Sequence, residues 1–449
     1  MELKKLLKNL FYKGENMINE LSEKVEQTVS QKCEDYEIYI SREKTINLDC
    51  EKTVLNFAKE EIVCGVGIRV LKDNKLGFAF TSDLDKIQKT VEQAISNTKL
   101  NKADPNFGFS EVAKVKNIEG LYYKDFDDLT LEESIEFLKN IINKSEEKCE
   151  VTSAGFSAKK IEYSILNSNG VAISDKETGF GVGLSVNAYK DDELSTAYDS
   201  MSSRYYDFDG DKLSEDVCKL ALDSLNGQNI TTGDKDVVLD YYALSGLLSA
   251  FISSFSAENV QRERSILKDK IGKQIVSENL TITDDNTLKG GLGSGKCDDE
   301  GTPAQKTVLV ENGILQSYIY DIYTGNKEEY KSTSNGFRSS YSGTPSVSTS
   351  NVVFDFNEET EISEIKEGML TTSVLGAHTA NPISGDFSVE VSNAFKIENG
   401  EITEPVKKAM ISGNIFELLK TGEKVKSETK QKGSFIIPKM LMHDLRVIG

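Results

Sequence analysis

The feature that most restricts how this chain can fold is a hydrophobic period that switches repeatedly between two residues and about 3.6 residues. Tyr36-Glu37-Ile38-Tyr39-Ile40-Ser41 alternates, as do residues 53–57 and VCGVGIRVLKDNKLGFAFTSD, where Asp73-Asn74-Lys75 links two apolar runs as a hairpin. Asp83 then caps a helix with Leu84, Ile87, Val91, Ala94 and Ile95 on one face, ending before Asp104-Pro105. Thr130 and Glu133 match the S/T-x-x-E capping box and open a helix that runs to about residue 148. Strands are expected at 151–159 and 161–167, and Ser168-Asn169-Gly170 reverses the chain into 171–174. FGVGLSVNAYKDD alternates again, and a helix covers roughly 212–225. After a linker at 227–233 come a buried strand at 236–240 and a helix from 242 to about 259. Short strands with Asn-Gly turns, in VENGIL and IENGEI, fill the rest.

At about 150 residues per domain, 449 residues suggest two or three domains. The pattern predicts an α+β protein: a helical segment over 1–35, a first α+β unit over 36–110 and a second over 111–228. A β-rich C-terminal domain follows over 233–449. Leu3, Leu6, Leu7, Leu10 and Phe11 share one face of a short helix, read as a docking helix or an over-extended start upstream of Met17.

Composition then narrows the chemistry. The net charge of −20 with no basic stripe opposes contact with nucleic acid or anionic membranes. No apolar run approaches the roughly 18 residues needed to cross a bilayer, and no leader is evident, so a cytoplasmic location is expected. Six cysteines without a CxxC pair fit a reducing compartment and spell out no zinc knuckle. Only two histidines are present, His378 and His443, so any Ser/His/Asp triad or histidine-rich zinc site must use one of them. His443, near the end, is expected on a terminal strand.

Four segments carry residues that chemistry could use. Gly290 to Lys296 satisfies G-x-x-x-x-G-K, but Cys297 replaces the magnesium-binding hydroxyl and neither a buried strand nor a long helix flanks it, so a flexible glycine loop is expected. Asp298, Asp299 and Glu300 read as a solvated turn, or as ligands for a hard cation such as calcium or magnesium. The Ser/Thr/Gly-rich run 332–351 reads as a mobile surface loop or as a substrate-facing one, with Asn335 and Arg338 as candidate substrate contacts. LGAHTANPISGDFS adds His378, Asn381 and Asp386 as a hydrogen-bonded loop or further substrate contacts.

Taken in order, GIRVLKDNKLGFAFTSDL, ILNSNGVAISD, FSAENVQRERSILKDKIGKQI, DDEGTPAQKTVLVENGILQSYIYD, NPISGDFS and FKIENGEITEPVKKAMISGN resemble the TldD/PmbA metalloprotease family, once labelled modulators of DNA gyrase. The resemblance runs over nearly the whole chain from about Tyr36. It implies two branches. In the TldD branch, the helix after the first C-terminal strand carries HExxxH, and a cysteine near the chain's end completes the zinc ligands. Here that helix reads YALSGLLSAFISSFSAENV and the end reads KGSFIIPKMLMHDLRVIG, without histidine in the first or cysteine in the second. The chain therefore resembles the PmbA branch, also called TldE, with no catalytic residues and no metal or cofactor of its own.

The resemblance implies a TldD-type partner that supplies zinc, a heterodimer acting on unfolded or small peptides, and a substrate-positioning role for this chain. A stand-alone peptide-binding homodimer without catalysis is the alternative, and a homodimeric hydrolase with another nucleophile or metal is a third. The charge distribution disfavours a direct role on DNA.

Overall fold

The structure, a computed structural model, describes residues 17–449, so the amphipathic stretch between Leu3 and Phe11 lies outside the described residues. Helix α1 (Met17–Ser30) precedes three antiparallel strands, β1 (Asp35–Glu51), β2 (Val54–Lys72) and β3 (Lys75–Thr81), and helix α2 (Ile87–Thr98). Helix α3 (Leu131–Glu146) then leads into β4 (Glu150–Asn167), β5 (Ala172–Lys190) and β6 (Glu193–Ser203), and helix α4 (Gly210–Asp223) closes the lobe. The capping box at α3 is present: Thr130 accepts from the Glu133 N–H, and the Glu133 carboxylate accepts from the Thr130 N–H. The two stretches either side of Asp104-Pro105 share one six-stranded sheet, in the order β3-β2-β1-β4-β5-β6, because β1 pairs with β4 from Glu37↔Asn167 to Glu51↔Ser153.

Strand alternation sorts this sheet into two faces. Ile38 and Ile40 of β1 pack with Val66, Ile68 and Val91 under α1 and α2, while Ile46 and Leu48 pack with Phe156, Leu184 and Leu138 under α3 and α4. All four point to the same side, so one face carries every helix of the lobe. The other face presents Tyr39, Ser41, Glu43, Thr45 and Asn47 toward the C-terminal lobe.

In that lobe β7 (Gly233–Leu239) and strands Glu367–Leu375, Asp386–Glu398, Met410–Asn414 and Phe435–Ile448 pair in that order, and the last returns to β7, closing a barrel. Both Asn-Gly sites turn as expected, with positive φ at Asn312/Gly313 and at Asn399/Gly400. The long helix expected from 242 to 259 is broken. Helix α5 (Tyr241–Ile252) ends in a tight turn at Ser253–Phe255 and a short helix resumes at Ala257–Gln261. Between them Ile319 donates to Phe255 O at 2.9 Å and Ala257 donates to Ile319 O at 3.0 Å, so an isolated bridge to a distant segment replaces the helical bonds.

Buried charge and one tyrosine seat the lobes on each other. Arg69 of β2 donates from Nε to Glu37 Oε1 at 2.8 Å and from Nη2 to Glu37 Oε2, and its Nη1 and Nη2 reach Glu300 Oε1 at 3.2 and 3.1 Å. Arg338 also donates to Glu37 and stacks over the Tyr39 ring at 4.7 Å. Two guanidinium charges outweigh the burial of Glu37 and hold its carboxyl below the usual range. Tyr341 lies across β2 at Gly65 and Gly67, where any Cβ would overlap its ring or its carbonyl oxygen.

These contacts correct three expectations. Asp298, Asp299 and Glu300 are not a solvated turn: Asp298 and Glu300 are buried, and Asp298 accepts from the backbone N–H of Glu300, Thr302 and Gly336. Burial pushes Asp299 up to about 6 and Glu300 up to about 7, against the pull of Arg338 and Arg69. The glycine loop is held rather than flexible, since Arg204, just past β6, donates to the carbonyls of Gly291, Leu292 and Ser294 at 3.2, 2.7 and 3.1 Å. The Ser/Thr/Gly-rich run is anchored inside the lobe through buried Thr333, Ser334, Asn335, Ser350 and Asn351. In each case the partner lies far away in sequence, so local composition pointed to solvent.

Candidate functional site

Helix α5 follows the first C-terminal strand directly. Asp240 caps it by accepting from the Tyr241 N–H at 2.7 Å. Tyr241, Ala243, Leu244, Leu247, Leu248, Ala250 and Phe251 are buried, which leaves Tyr242, Ser245, Gly246 and Ser249 as its open side. Tyr242 meets the N-terminal lobe: Ser200 of β6 donates its N–H to the phenol oxygen at 2.7 Å, Lys432 sits 4.0 Å over the ring and Tyr198 packs edge-on at 5.8 Å. Burial raises the Tyr242 pKa well above the ordinary phenol value. At Gly246 the helix touches the loop that carries His378, where an added Cβ would come within 3.0 Å of Ala377.

Zinc is held by thiolate, imidazole or carboxylate. The open side of α5 offers phenol, hydroxyl and hydrogen, and the closing strand Phe435–Ile448 offers no thiol, so these residues do not fit a zinc site. His443 on that strand is engaged elsewhere, with Nδ1 2.9 Å from Asp236 and Nε2 3.4 Å from Glu423. Burial pulls its pKa down, but the two carboxylates outweigh this and raise it.

The five substrate-contact candidates fall in two places. Asn335 is fully buried and donates to Asp284 at 3.0 Å and to Ser348 O at 2.8 Å; it braces its own loop and is out of a substrate's reach. The Arg338 side chain is buried in the seam between lobes. His378, Asn381 and Asp386 lie on the exposed loop beside α5, but two of them are already committed. Asn381 accepts from the N–H groups of Ile383 and Ser384, and Asp386 accepts from Ser384 and Asn414, which hold its carboxyl below the usual range. Among the described residues His378 is the candidate whose side chain makes no hydrogen bond or ion pair, and it is not paired with Asp386.

Sequence reasoning missed the open face of the N-terminal sheet. Two adjoining cavities of about 550 and 650 Å³ lie along it, sharing Asn47 and Glu61. Ser41, Glu43, Thr45 and Asn47 of β1 and Lys159 of β4 point into them without a side-chain partner among the described residues. A legible signal was present: Gly179, Gly181 and Gly183 recur with period two in GFGVG, so one face of β5 lacks side chains.

Residues 36–98, 124–225 and 232–449 match the PmbA/TldA metallopeptidase domain 1, central domain and C-terminal domain. The chain belongs to the PmbA/TldD metallopeptidase family. It is 37% identical to an uncharacterized protein of Methanocaldococcus jannaschii over 90% of this chain and 94% of that one. It is 26% identical to a metalloprotease PmbA homolog of Haemophilus influenzae, covering 86% of this chain and 85% of that one. The crystal structure of TldE from Thermococcus kodakarensis superposes with a TM-score of 0.90 at 25% identity, covering 96% of this chain and 100% of that one. Among the described residues of this PmbA/TldD-family chain, no helix is long and apolar enough to cross a membrane.

Proposed function

We propose that this chain is the TldE-type, non-metal-binding subunit of a PmbA/TldD-family peptidase, working with a TldD-type subunit that supplies zinc and acting on unfolded or small peptides. The observation that carries the reading is the open side of α5. A hydrolytic zinc site needs about three protein ligands and a free position for water, and Tyr242, Ser245, Gly246 and Ser249 cannot supply the ligands. The work left for this chain is to assemble with the zinc-bearing subunit and to orient the substrate, which by itself can contribute several kcal/mol to lowering a barrier. His378, exposed beside α5, is the candidate contact on this chain.

The test has two arms. Elemental analysis of the purified chain, after exposure to zinc and dialysis, is expected to give well under one zinc per chain. Mixing with a TldD-type subunit is expected to create hydrolysis of an unstructured peptide that a chelator abolishes. Stoichiometric zinc in this chain alone, or chelator-resistant hydrolysis by it alone, overturns the proposal.

A further inference from the structure

The two faces of the N-terminal sheet treat their polar residues differently. On the helix-bearing face, Arg42 pairs with Glu162 at 2.7 Å and Lys44 with Glu60 at 2.9 Å. On the opposite face of the same strand, Ser41, Glu43, Thr45 and Asn47 are half-buried and make no side-chain hydrogen bond or ion pair among the described residues. None of these polar atoms is sealed from solvent, so in the free chain only water can meet the hydrogen-bonding capacity that the protein itself leaves unmet. Such unmet hydrogen-bonding capacity, concentrated on the wall of two joined cavities, is suited to an incoming chain of donors and acceptors.

The shape specifies what enters. Gly155, Gly179, Gly181 and Gly183 remove side chains from the neighbouring strands, and an added Cβ at Gly179 would meet nothing within 4 Å. The floor is therefore a trough. From Ser41 to Asp49 it runs about 27 Å along β1, the length of an extended segment of about eight residues. Phe57 and Tyr198, 49% and 51% exposed, stand on opposite sides of the far cavity as apolar walls. Tyr198 also packs on Tyr242, so that end of the trough opens at the foot of α5. The near end is closed by Tyr341 and Arg338. Charge favours a cationic occupant: the unpaired Lys159 offsets one carboxylate, but Glu43 and Asp49 both lack an ion pair among the described residues and Glu61 pairs only with exposed Lys59, on a chain of net charge −20.

We propose that the open face of the six-stranded sheet is a binding trough for an extended, positively charged polypeptide segment, with Glu43 as its charge anchor and the glycine-lined floor of β4 and β5 as its bed. This rests on the peptidase-subunit reading and adds the place and the charge preference of the substrate on this chain.

The test is fluorescence anisotropy of the full chain, without any partner, against a labelled twelve-residue Gly/Ser/Lys peptide and a Gly/Ser/Glu counterpart. Gly155→Val introduces a side chain into the trough from extended backbone, where the nearest atom to a new Cβ is Leu48 O at 3.5 Å and a β-branched residue suits a strand. It is expected to weaken Lys-peptide binding at least tenfold while leaving the unfolding transition in place. Glu43→Gln is expected to weaken it about threefold and to flatten its salt dependence. Equal binding of the two peptides, no binding at all, or unchanged binding by Gly155→Val overturns the inference. Because no partner or zinc is involved, these failures are separate from the failure to create hydrolysis on mixing with a TldD-type subunit.

Discussion

Arg69→Met tests whether buried charge holds the two lobes together. The substitution keeps much of the side-chain volume and removes a guanidinium that bonds Glu37 and Glu300 at once. Glu37, 0% exposed, would keep only Arg338, and Glu300, 2% exposed, would keep the Ile322 N–H at 2.8 Å. Taking one partner from a buried ion pair costs about 3–5 kcal/mol, because a desolvated charge is left behind. At an m-value of about 3 kcal/mol per molar, the urea midpoint should fall by more than about 1 M. The double variant Arg69→Met/Glu300→Gln should recover part of that loss, since one orphaned carboxylate is gone.

The pH dependence has a definite sign. Glu37 lies below its ordinary value of 4.5 in the folded chain, so its contribution is present above pH 4.5 and is lost as pH falls through the depressed value. Glu300, pushed up to about 7, acts in the opposite sense: between pH 4.5 and 7 the folded chain keeps a proton the unfolded chain has released, so its contribution falls as pH rises. Without Arg69 both carboxylates protonate more readily. The deficit of Arg69→Met should therefore be largest near neutral pH and shrink below about pH 5. A loss under about 1 kcal/mol at pH 7, or a deficit that grows on acidification, refutes the reasoning.

Other perturbations follow from the same contacts. Gly65→Ala and Gly67→Ala should each destabilise the lobe junction by about 1–3 kcal/mol in urea unfolding. Tyr341→Ala should rescue the first, whose new Cβ meets the Tyr341 ring, and leave the second unrescued, because that Cβ meets the Tyr341 backbone oxygen. Thr130→Ala removes the cap of α3 and should cost about 1 kcal/mol in the same assay.

Local rules written in adjacent residues were legible from the chain itself. The capping box at Thr130 and Glu133, the two Asn-Gly hairpins and the strand at β1 each depend on neighbours a few positions apart and each formed, although Tyr36 to Ile40 are buried on both faces rather than alternately. What the chain did not disclose was where its charges would go. Asp298, Asp299 and Glu300 look hydrated until Arg69 and Arg338 arrive from elsewhere in the sequence, and Asn335 looks available until Asp284 closes on it. The same holds for the open sheet face, whose unpaired Glu43 becomes notable only when its neighbour Arg42 on the other side is seen to be ion-paired with Glu162. Secondary structure is decided by backbone bonds and side-chain period over a few residues, whereas the worth of a buried charge depends on what the fold places within a few ångströms of it. Only the tertiary structure decides that.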